Sequence, residues 1–279
     1  MIEFKNVCAS YDAELPILKD VSFTVNDGDF VAFVGTNGAG KSTTMRLCNG
    51  LLKPTSGQVL VDGVPTTQLK TSQLARKAGF LFQNPDRQIC CATVREELLF
   101  GFQALGKDDT EAQAKVDAVI DQFGFDPQAE PFLLNRGTRQ LLALASIVVL
   151  ETPVVILDEP TTGLDYRECV KVMNIVKDLH KRGTTVIMVC HDMEVVADYA
   201  EKVIVMTKGH VVAQGPTFDI LRNPAVMEEA DLIAPQVVDI SQRLVLADAR
   251  LKGTAVDAAN TVEDMVAAVE AAALRGGAV

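Results

Sequence analysis

The stretch GTNGAGKST, Gly35 to Thr43, limits what this chain can fold into more than any other nine residues. It fits G-x-x-x-x-G-K-[ST] and lies between an apolar run, FVAFV, and a helix-compatible one, TMRLCNGL, which is the strand–loop–helix setting that the pattern requires. Gly35, Gly38 and Gly40 let the backbone curl, so that the amides of this loop, including those of Thr36, Asn37 and Ala39, turn inward toward a β-phosphate. Lys41 reaches the β- and γ-phosphates, Ser42 offers a hydroxyl to Mg²⁺, and the helix that follows presents its positive end. By composition such a match arises in about one sequence of this length in a hundred. A merely glycine-rich turn is therefore a poor account of it, and the loop implies a strand–helix core.

The rest of the chain supplies that core. IEFKNVCASY, VSFTV and FVAFV read as short strands, the last after the turn Asn26–Asp29, and GQVLVDGV reads as another. Residues 84–150 change to helical patterns, as in Glu111 to Phe123 with Ala112, Val116, Val119 and Ile120 on one side. Strands return in VVILDE, TTVIMVC and KVIVMTKGHVV, separated by helical stretches near 166–181 and 193–200. Alternating strands and helices imply a mainly parallel sheet. The expected fold is α/β, a P-loop NTPase core with an N-terminal antiparallel β subdomain, a helical insertion at about 84–150 and a small helical C-terminal tail. One domain over 1–222 and a C-terminal extension over 223–279 are expected. Thr217 is expected to cap a short helix, and Thr261 with Asp264 forms a capping-box pattern ahead of Val262, Met265, Val266 and Val269.

VVILDEP is an apolar strand that ends in two acids. Asp158 at the strand tip suits Mg²⁺, through water, because that ion keeps most of its hydration shell. Glu159 is then placed to polarise the water that attacks a γ-phosphate. Charge matters here as an exclusion: 26 basic against 37 acidic residues, net −11, is the wrong balance for a general nucleic-acid binder. MIEFKNV has no basic-then-apolar leader, and the apolar stretch Leu141 to Leu150 is too short for a membrane span, so a soluble cytosolic chain is expected. Six cysteines (Cys8, Cys48, Cys90, Cys91, Cys169, Cys190) have no C-x-x-C spacing, and they read as small buried hydrophobes.

Tyr11, Gly35–Thr43, Gln83, LLNRGTRQ, VVILDEP, TTGLD and VCHD occur in the order of an ATP-binding cassette (ABC) ATPase, which residues 1–220 resemble. The resemblance implies that Tyr11 stacks on adenine, that Gln83 contacts Mg²⁺ and links the site to the helical insertion, and that His191 contacts the γ-phosphate. It also implies that Asp165 meets an opposing subunit. FLFQNPDRQICCATVREELLFG further resembles the ATPases of energy-coupling factor (ECF) importers, as does the helical tail, which in that group helps to hold two ATPases together. The implied partners are a second ABC ATPase subunit, a transmembrane coupling protein and a substrate-capturing membrane subunit, with no nucleic acid. The implied cargo is a vitamin or a transition-metal ion, and the implied place is the cytoplasmic face of the membrane.

The family signature, usually L-S-G-G-Q, covers the nucleotide bound by the other subunit. Its counterpart here is Leu134, Asn135, Arg136, Gly137 and Thr138, with Leu141 where Arg is usual. Gly137 survives, and Asn135 can donate from its amide. The site reads as weakened, although an intact site tolerating drift stays open, because helix-terminus phosphate binding depends mainly on backbone groups. A heterodimer with a partner of better signature is expected over a homodimer. Soluble ABC ATPases of repair or translation fit less well, given one set of motifs, about fifty residues between Gln83 and the signature, and the acidic balance. A non-hydrolysing regulator is disfavoured by the intact Lys41, Asp158, Glu159 and His191.

Overall fold

The computed structural model describes residues 1–12, 15–107 and 110–276. The strands are β1 (Ile2–Ser10), β2 (Pro16–Val25), β3 (Phe30–Val34), β4 (Ser56–Val61), β5 (Val64–Pro65), β6 (Ala78–Leu81), β7 (Val154–Asp158), β8 (Thr185–Val189), β9 (Lys202–Thr207) and β10 (His210–Pro216). A six-stranded sheet runs β10-β9-β3-β8-β7-β6 and is parallel throughout except for β10; a four-stranded antiparallel sheet runs β2-β1-β4-β5. The expected α/β class is observed.

Strands β3, β7 and β8 are buried at every residue, the pattern of a parallel sheet covered on both faces. Their side chains alternate between two cores. Phe30, Ala32, Val34, Val155, Leu157, Val186 and Met188 face the helical side, while Val31, Phe33, Val154, Ile156, Ile187 and Val189 face the antiparallel sheet. On that second side Phe4 stacks on Phe23 at 4.3 Å, and Phe23 meets Phe33 edge-on at 5.1 Å, so three rings join the two sheets.

The helices are α1 (Lys41–Cys48), α2 (Thr71–Ala75), α3 (Val94–Ala104), α4 (Thr110–Phe123), α5 (Arg136–Val148), α6 (Tyr166–Lys181), α7 (Met193–Tyr199), α8 (Thr217–Leu221), α9 (Pro224–Glu229), α10 (Gln236–Ala247), α11 (Ala255–Ala258) and α12 (Val262–Gly276). Helices α3 to α5 fill the segment read as helical. The α4 stripe Ala112, Val116, Val119, Ile120 and Phe123 is buried in the helical-side core. Thr93 and Glu96 close a capping box at the start of α3, which fixes where the loop from the nucleotide site becomes helix.

Four local readings are corrected. Ala78–Leu81 is a strand at the edge of the parallel sheet, too short and too glycine-interrupted to register as one in the sequence. KVIVMTKGHVV is a hairpin rather than a single strand, turning at Lys208 and Gly209, and so is GQVLVDGV, where β4 and β5 pair across a turn at Asp62 and Gly63; all four turn residues have positive φ. Thr217 is not a cap: its hydroxyl donates to the Ala200 carbonyl at 2.6 Å, and Pro216 holds the N-cap position.

Packing continues past residue 222. Met227 and Ala230, in and just after α9, belong to the helical-side core. The Arg222 guanidinium donates to the Ala259 carbonyl at 2.9 Å, Asn260 Oδ1 at 3.1 Å and Ser241 Oγ at 3.1 Å, and also to the Asp257 carbonyl. One buried-edge cation thus collects α10, α11 and the start of α12 onto the end of α8. Thr261 and Asp264 do form the reciprocal pair ahead of α12.

Candidate nucleotide site

Strand β3 delivers the chain into a glycine loop that opens α1. At Gly35 φ is +135°, and a Cβ would stand 1.8 Å from the Met206 carbonyl oxygen of β9, so only glycine lets the loop leave the sheet here. Lys41, 5% exposed, donates from Nζ to the Gly35 carbonyl at 2.7 Å and the Thr36 carbonyl at 2.9 Å. Burial pushes its ammonium below the usual lysine range, against the pull of Glu159 and Asp158. Asn37, Gly38, Ala39, Gly40, Lys41, Ser42 and Thr43 line a cleft of about 260 Å³ together with Ile17, Glu159 and His191. Tyr11 lies at the end of β1 with its ring 55% exposed; Arg46, in the last turn of α1, donates to its phenol oxygen at 2.8 Å and lies 5.7 Å from the ring centre.

The tip of β7 places Asp158 against this loop. Ser42 Oγ donates to Asp158 Oδ1 at 3.0 Å, and the carboxylate is 6% exposed. Burial raises its pKa from the ordinary carboxylate value, and the neighbouring Glu159 adds to that, while Ser42, Arg46 and Lys41 oppose it. A buried, destabilised carboxylate beside a hydroxyl is an oxygen donor set that suits a hard cation, so Ser42 and Asp158 fit Mg²⁺. Gln83, Arg46 and Arg87 line a smaller recess on the same side.

One residue on, the backbone turns left-handed at Glu159, φ +53°, and its amide bonds to the Val189 carbonyl of β8. That twist aims the carboxylate across three strand ends. Glu159 Oε2 accepts from Gln83 Nε2, after β6, at 2.7 Å and from Thr162 Oγ1 at 3.0 Å. Oε1 is paired with His191 Nε2, after β8, at 2.8 Å. The sequence expectation set Gln83, Glu159 and His191 at one site; the structure brings them together on one carboxylate.

The signature residues reach that cluster through Thr162, which bonds to Glu159 by its hydroxyl and to Arg136 by its carbonyl. Asn135 caps α5, its Oδ1 accepting the Thr138 amide at 2.8 Å. Arg136 turns back on its own chain: Nη2 donates to the Thr162 carbonyl at 3.2 Å, with the guanidinium packed on Gly163. Gly137 lies against Glu168, where a Cβ would come within 1.8 Å of a carboxylate oxygen. Asp165 and Glu168 in turn make a reciprocal capping box for α6, at 2.9 and 3.1 Å. The Asp165 carboxylate therefore has an intrachain role whatever else it meets. Buried Gln140 completes the join, donating to the Pro160 carbonyl at 3.2 Å.

Two residues of the stretch after Gln83 tie that loop to the signature helix, contacts that the sequence reading did not assign. Gln88 donates to the Ala143 carbonyl at 2.8 Å and Ser146 Oγ at 3.0 Å, and its own oxygen accepts the Phe82 amide at 3.2 Å. Asp86 pairs with Arg139 at 3.1 Å. Of the six cysteines read as buried fillers, Cys48 and Cys190 are buried, with thiols that burial pushes up to about 12, whereas Cys90 is exposed and Cys8, Cys91 and Cys169 are half-buried, so the reading fails for those four. No helix among the described residues is long and apolar enough to cross a membrane.

Comparison with known proteins bears on the family and the fold. Residues 18–162 match the family model described as ABC transporter. The chain is 35% identical over 268 residues, 95% of its length, to the energy-coupling factor transporter ATP-binding protein EcfA of Methanothermobacter thermautotrophicus, covering 85% of that protein. It is 38% identical over 88% of its length to a putative ABC transporter ATP-binding protein of Caldanaerobacter subterraneus, but spans only 43% of that longer relative. Among solved structures, cbiO1 from Clostridium perfringens, part of the ABC transporter complex cbiONQ, superposes with a TM-score of 0.73 at 29% identity, over 86% of this chain and 98% of that one.

Proposed function

The chain belongs to the ABC transporter family of ATPases, and from that premise we propose that it is the ATP-hydrolysing subunit of an energy-coupling factor type importer for a vitamin or a transition-metal ion. The observation that carries the catalytic part is the single carboxylate, Glu159, held by Gln83, Thr162 and His191 beside the phosphate loop. The similarity to EcfA and to cbiO1 supports the importer type.

ATP lies with its phosphates in the loop from Gly35 to Thr43, and Lys41 exchanges its two carbonyl contacts for β- and γ-phosphate oxygens. Tyr11 carries the adenine. Ser42, Asp158 and Gln83 would hold Mg²⁺, which would supply neutralisation of the phosphate charge. Glu159 orients the attacking water and accepts its proton as the oxygen closes on the γ-phosphorus, and His191 stabilises the charge that gathers on the γ-phosphate oxygens. The opposite wall of each site is the signature helix N-terminus of the facing subunit, so that Asn135–Thr138 of this chain wall the nucleotide held by the partner, with Asp165 in the subunit contact.

The partner is a second, different cassette. This chain has every catalytic side chain on its phosphate-loop side but an altered signature, so its own Glu159 works opposite a better signature and its Asn135–Thr138 covers a slower site. The segment 223–279 joins the two cassettes; Ile240, Leu244, Val262, Val266 and Val269 leave apolar surface open along it. Residues 84–88 and 94–100 receive a transmembrane coupling protein, which itself holds a substrate-capturing membrane subunit, at the cytoplasmic face of the membrane. The pins from Asp86 and Gln88 to α5 carry motion between that groove and the signature.

The test is purification of the tagged chain from membranes with identification of the bound integral proteins, followed by cysteine crosslinking from positions 84–88 and 94–100 with and without ATP. Co-purification of a second cassette and ATP-dependent crosslinks to a membrane protein are expected. Crosslinks confined to 223–279 would sink the docking route.

A further inference from the structure

The loop that follows Gln83 places two cysteines over a buried acid. Cys90 and Cys91 have their sulfurs 4.0 Å apart, and Glu97 Oε2, from the first turn of α3, accepts both of their backbone amides at 2.9 Å. The two Sγ atoms and a Glu97 carboxylate oxygen all lie within 4.8 Å of one another. Glu97 is 3% exposed, and among the described residues no Lys, Arg or His forms an ion pair with it. Two amides satisfy its lone pairs but bring no countercharge, and a buried carboxylate without one is costly.

We propose that Cys90, Cys91 and Glu97 form a binding site for a thiophilic divalent cation of the Zn²⁺ and Cd²⁺ class. Two Zn–S bonds of about 2.3 Å at a tetrahedral angle span roughly 3.8 Å, close to the observed sulfur separation. Thiolate donors select soft or borderline ions over Mg²⁺, so this site does not compete with the nucleotide's cation. Cys90 is exposed, which leaves the fourth position to water. Direct oxidation of the pair is the poorer use of the same sulfurs: adjacent Cα atoms are about 3.8 Å apart, short of the ~4.4–6.8 Å that an unstrained disulfide spans. Binding forms two sulfur–metal bonds and releases the two thiol protons to solvent, with no change of oxidation state. Occupancy ties residues 90–91 to the first turn of α3, and so stiffens the loop between Gln83 and that helix. The inference does not depend on which membrane protein the chain serves.

The experiment is titration of the reduced full-length chain with Cd²⁺ in excess Mg²⁺ and ATP, reading the thiolate-to-cadmium absorption and calorimetric stoichiometry, with Zn²⁺ as competitor. One Cd²⁺ per chain, displaced by Zn²⁺, is expected. Cys91→Ser should abolish the absorption, and Glu97→Gln, whose amide oxygen can still accept both backbone N–H groups, should weaken binding by about tenfold or more. Cys8→Ser and Cys169→Ser should change nothing. Alkylation of wild-type Cys90 and Cys91, mapped by mass spectrometry, should be blocked by Cd²⁺, which tests the site even where a variant folds poorly. Absence of a stoichiometric absorption, its survival in Cys90→Ser/Cys91→Ser, or full affinity in Glu97→Gln would overturn the three-ligand site.

Discussion

Glu159→Gln separates a proton acceptor from a positioning group. In the native site one carboxylate oxygen faces His191 Nε2 at 2.8 Å, and the other receives Gln83 Nε2 and Thr162 Oγ1 at 2.7 and 3.0 Å. A glutamine has the same shape and branching. Its amide oxygen can keep the Gln83 and Thr162 contacts, and its NH₂ can donate to His191 once the imidazole leaves Nε2 unprotonated. Folding and ATP affinity should therefore hold. If Glu159 only positioned its neighbours, the loss would be that of weakening charge-assisted hydrogen bonds to neutral ones, on the order of 1 kcal/mol or under tenfold in rate. A positioned base is worth about 10²–10⁴-fold, or roughly 2.7–5.4 kcal/mol on the barrier. The assay is steady-state phosphate release by the two-cassette complex at saturating ATP, with nucleotide affinity measured by calorimetry on the same preparation. A loss above a hundredfold with unchanged affinity is expected; a loss below tenfold refutes Glu159 as the base.

Lys41→Ala should abolish ATP binding or turnover, since it removes the ammonium at the β- and γ-phosphates; unchanged calorimetric affinity and unchanged phosphate release together would refute the phosphate-loop assignment. Asn135→Ala removes an N-cap worth about 1 kcal/mol, visible as a drop in melting temperature of roughly 2–4 °C, yet should cost the complex far less turnover than Glu159→Gln. Equal damage from both in phosphate release would end the asymmetric reading. Gly137→Ala should displace Glu168 from its 3.1 Å bond to the Asp165 amide, because the new methyl needs the space of that carboxylate. Its effect should exceed that of Thr138→Ala in ATP-dependent association of the cassettes by light scattering, and equal association would show that the contact gives way freely.

Much of this was readable one residue at a time. A phosphate loop announces itself because its chemistry needs glycines and a lysine at fixed offsets, and the apolar strand ending in Asp158 and Glu159 does so because two acids after four buried apolar residues have few other uses. Strand β6 escaped because four residues, one of them glycine, carry no period of their own; it is a strand only because β7 pairs with it. The turn at Lys208–Gly209 was hidden by apolar residues on both sides. Links made by Gln88, Gln140 and the Gly137–Glu168 contact join residues far apart in the chain, and no local pattern encodes them. The cysteine pair over Glu97 is of the same kind: six residues separate ligands that only the entry into α3 brings face to face.

The two walls proposed for the nucleotide site differ in what a mutation can do to them. Glu159 is fastened by side chains from three strand ends, so a change in any one leaves the other groups mispaired, and a repair needs simultaneous changes at distant codons. The wall at Asn135–Thr138 works through backbone amides at a helix start, of which that of Thr138 is already taken by the Asn135 cap, and a backbone amide survives almost any substitution that keeps the helix. One wall is thus brittle under drift and the other forgiving. A pair of cassettes built from such walls can diverge at the forgiving one first, and an asymmetric machine can arise from a symmetric ancestor without ever passing through an inactive form.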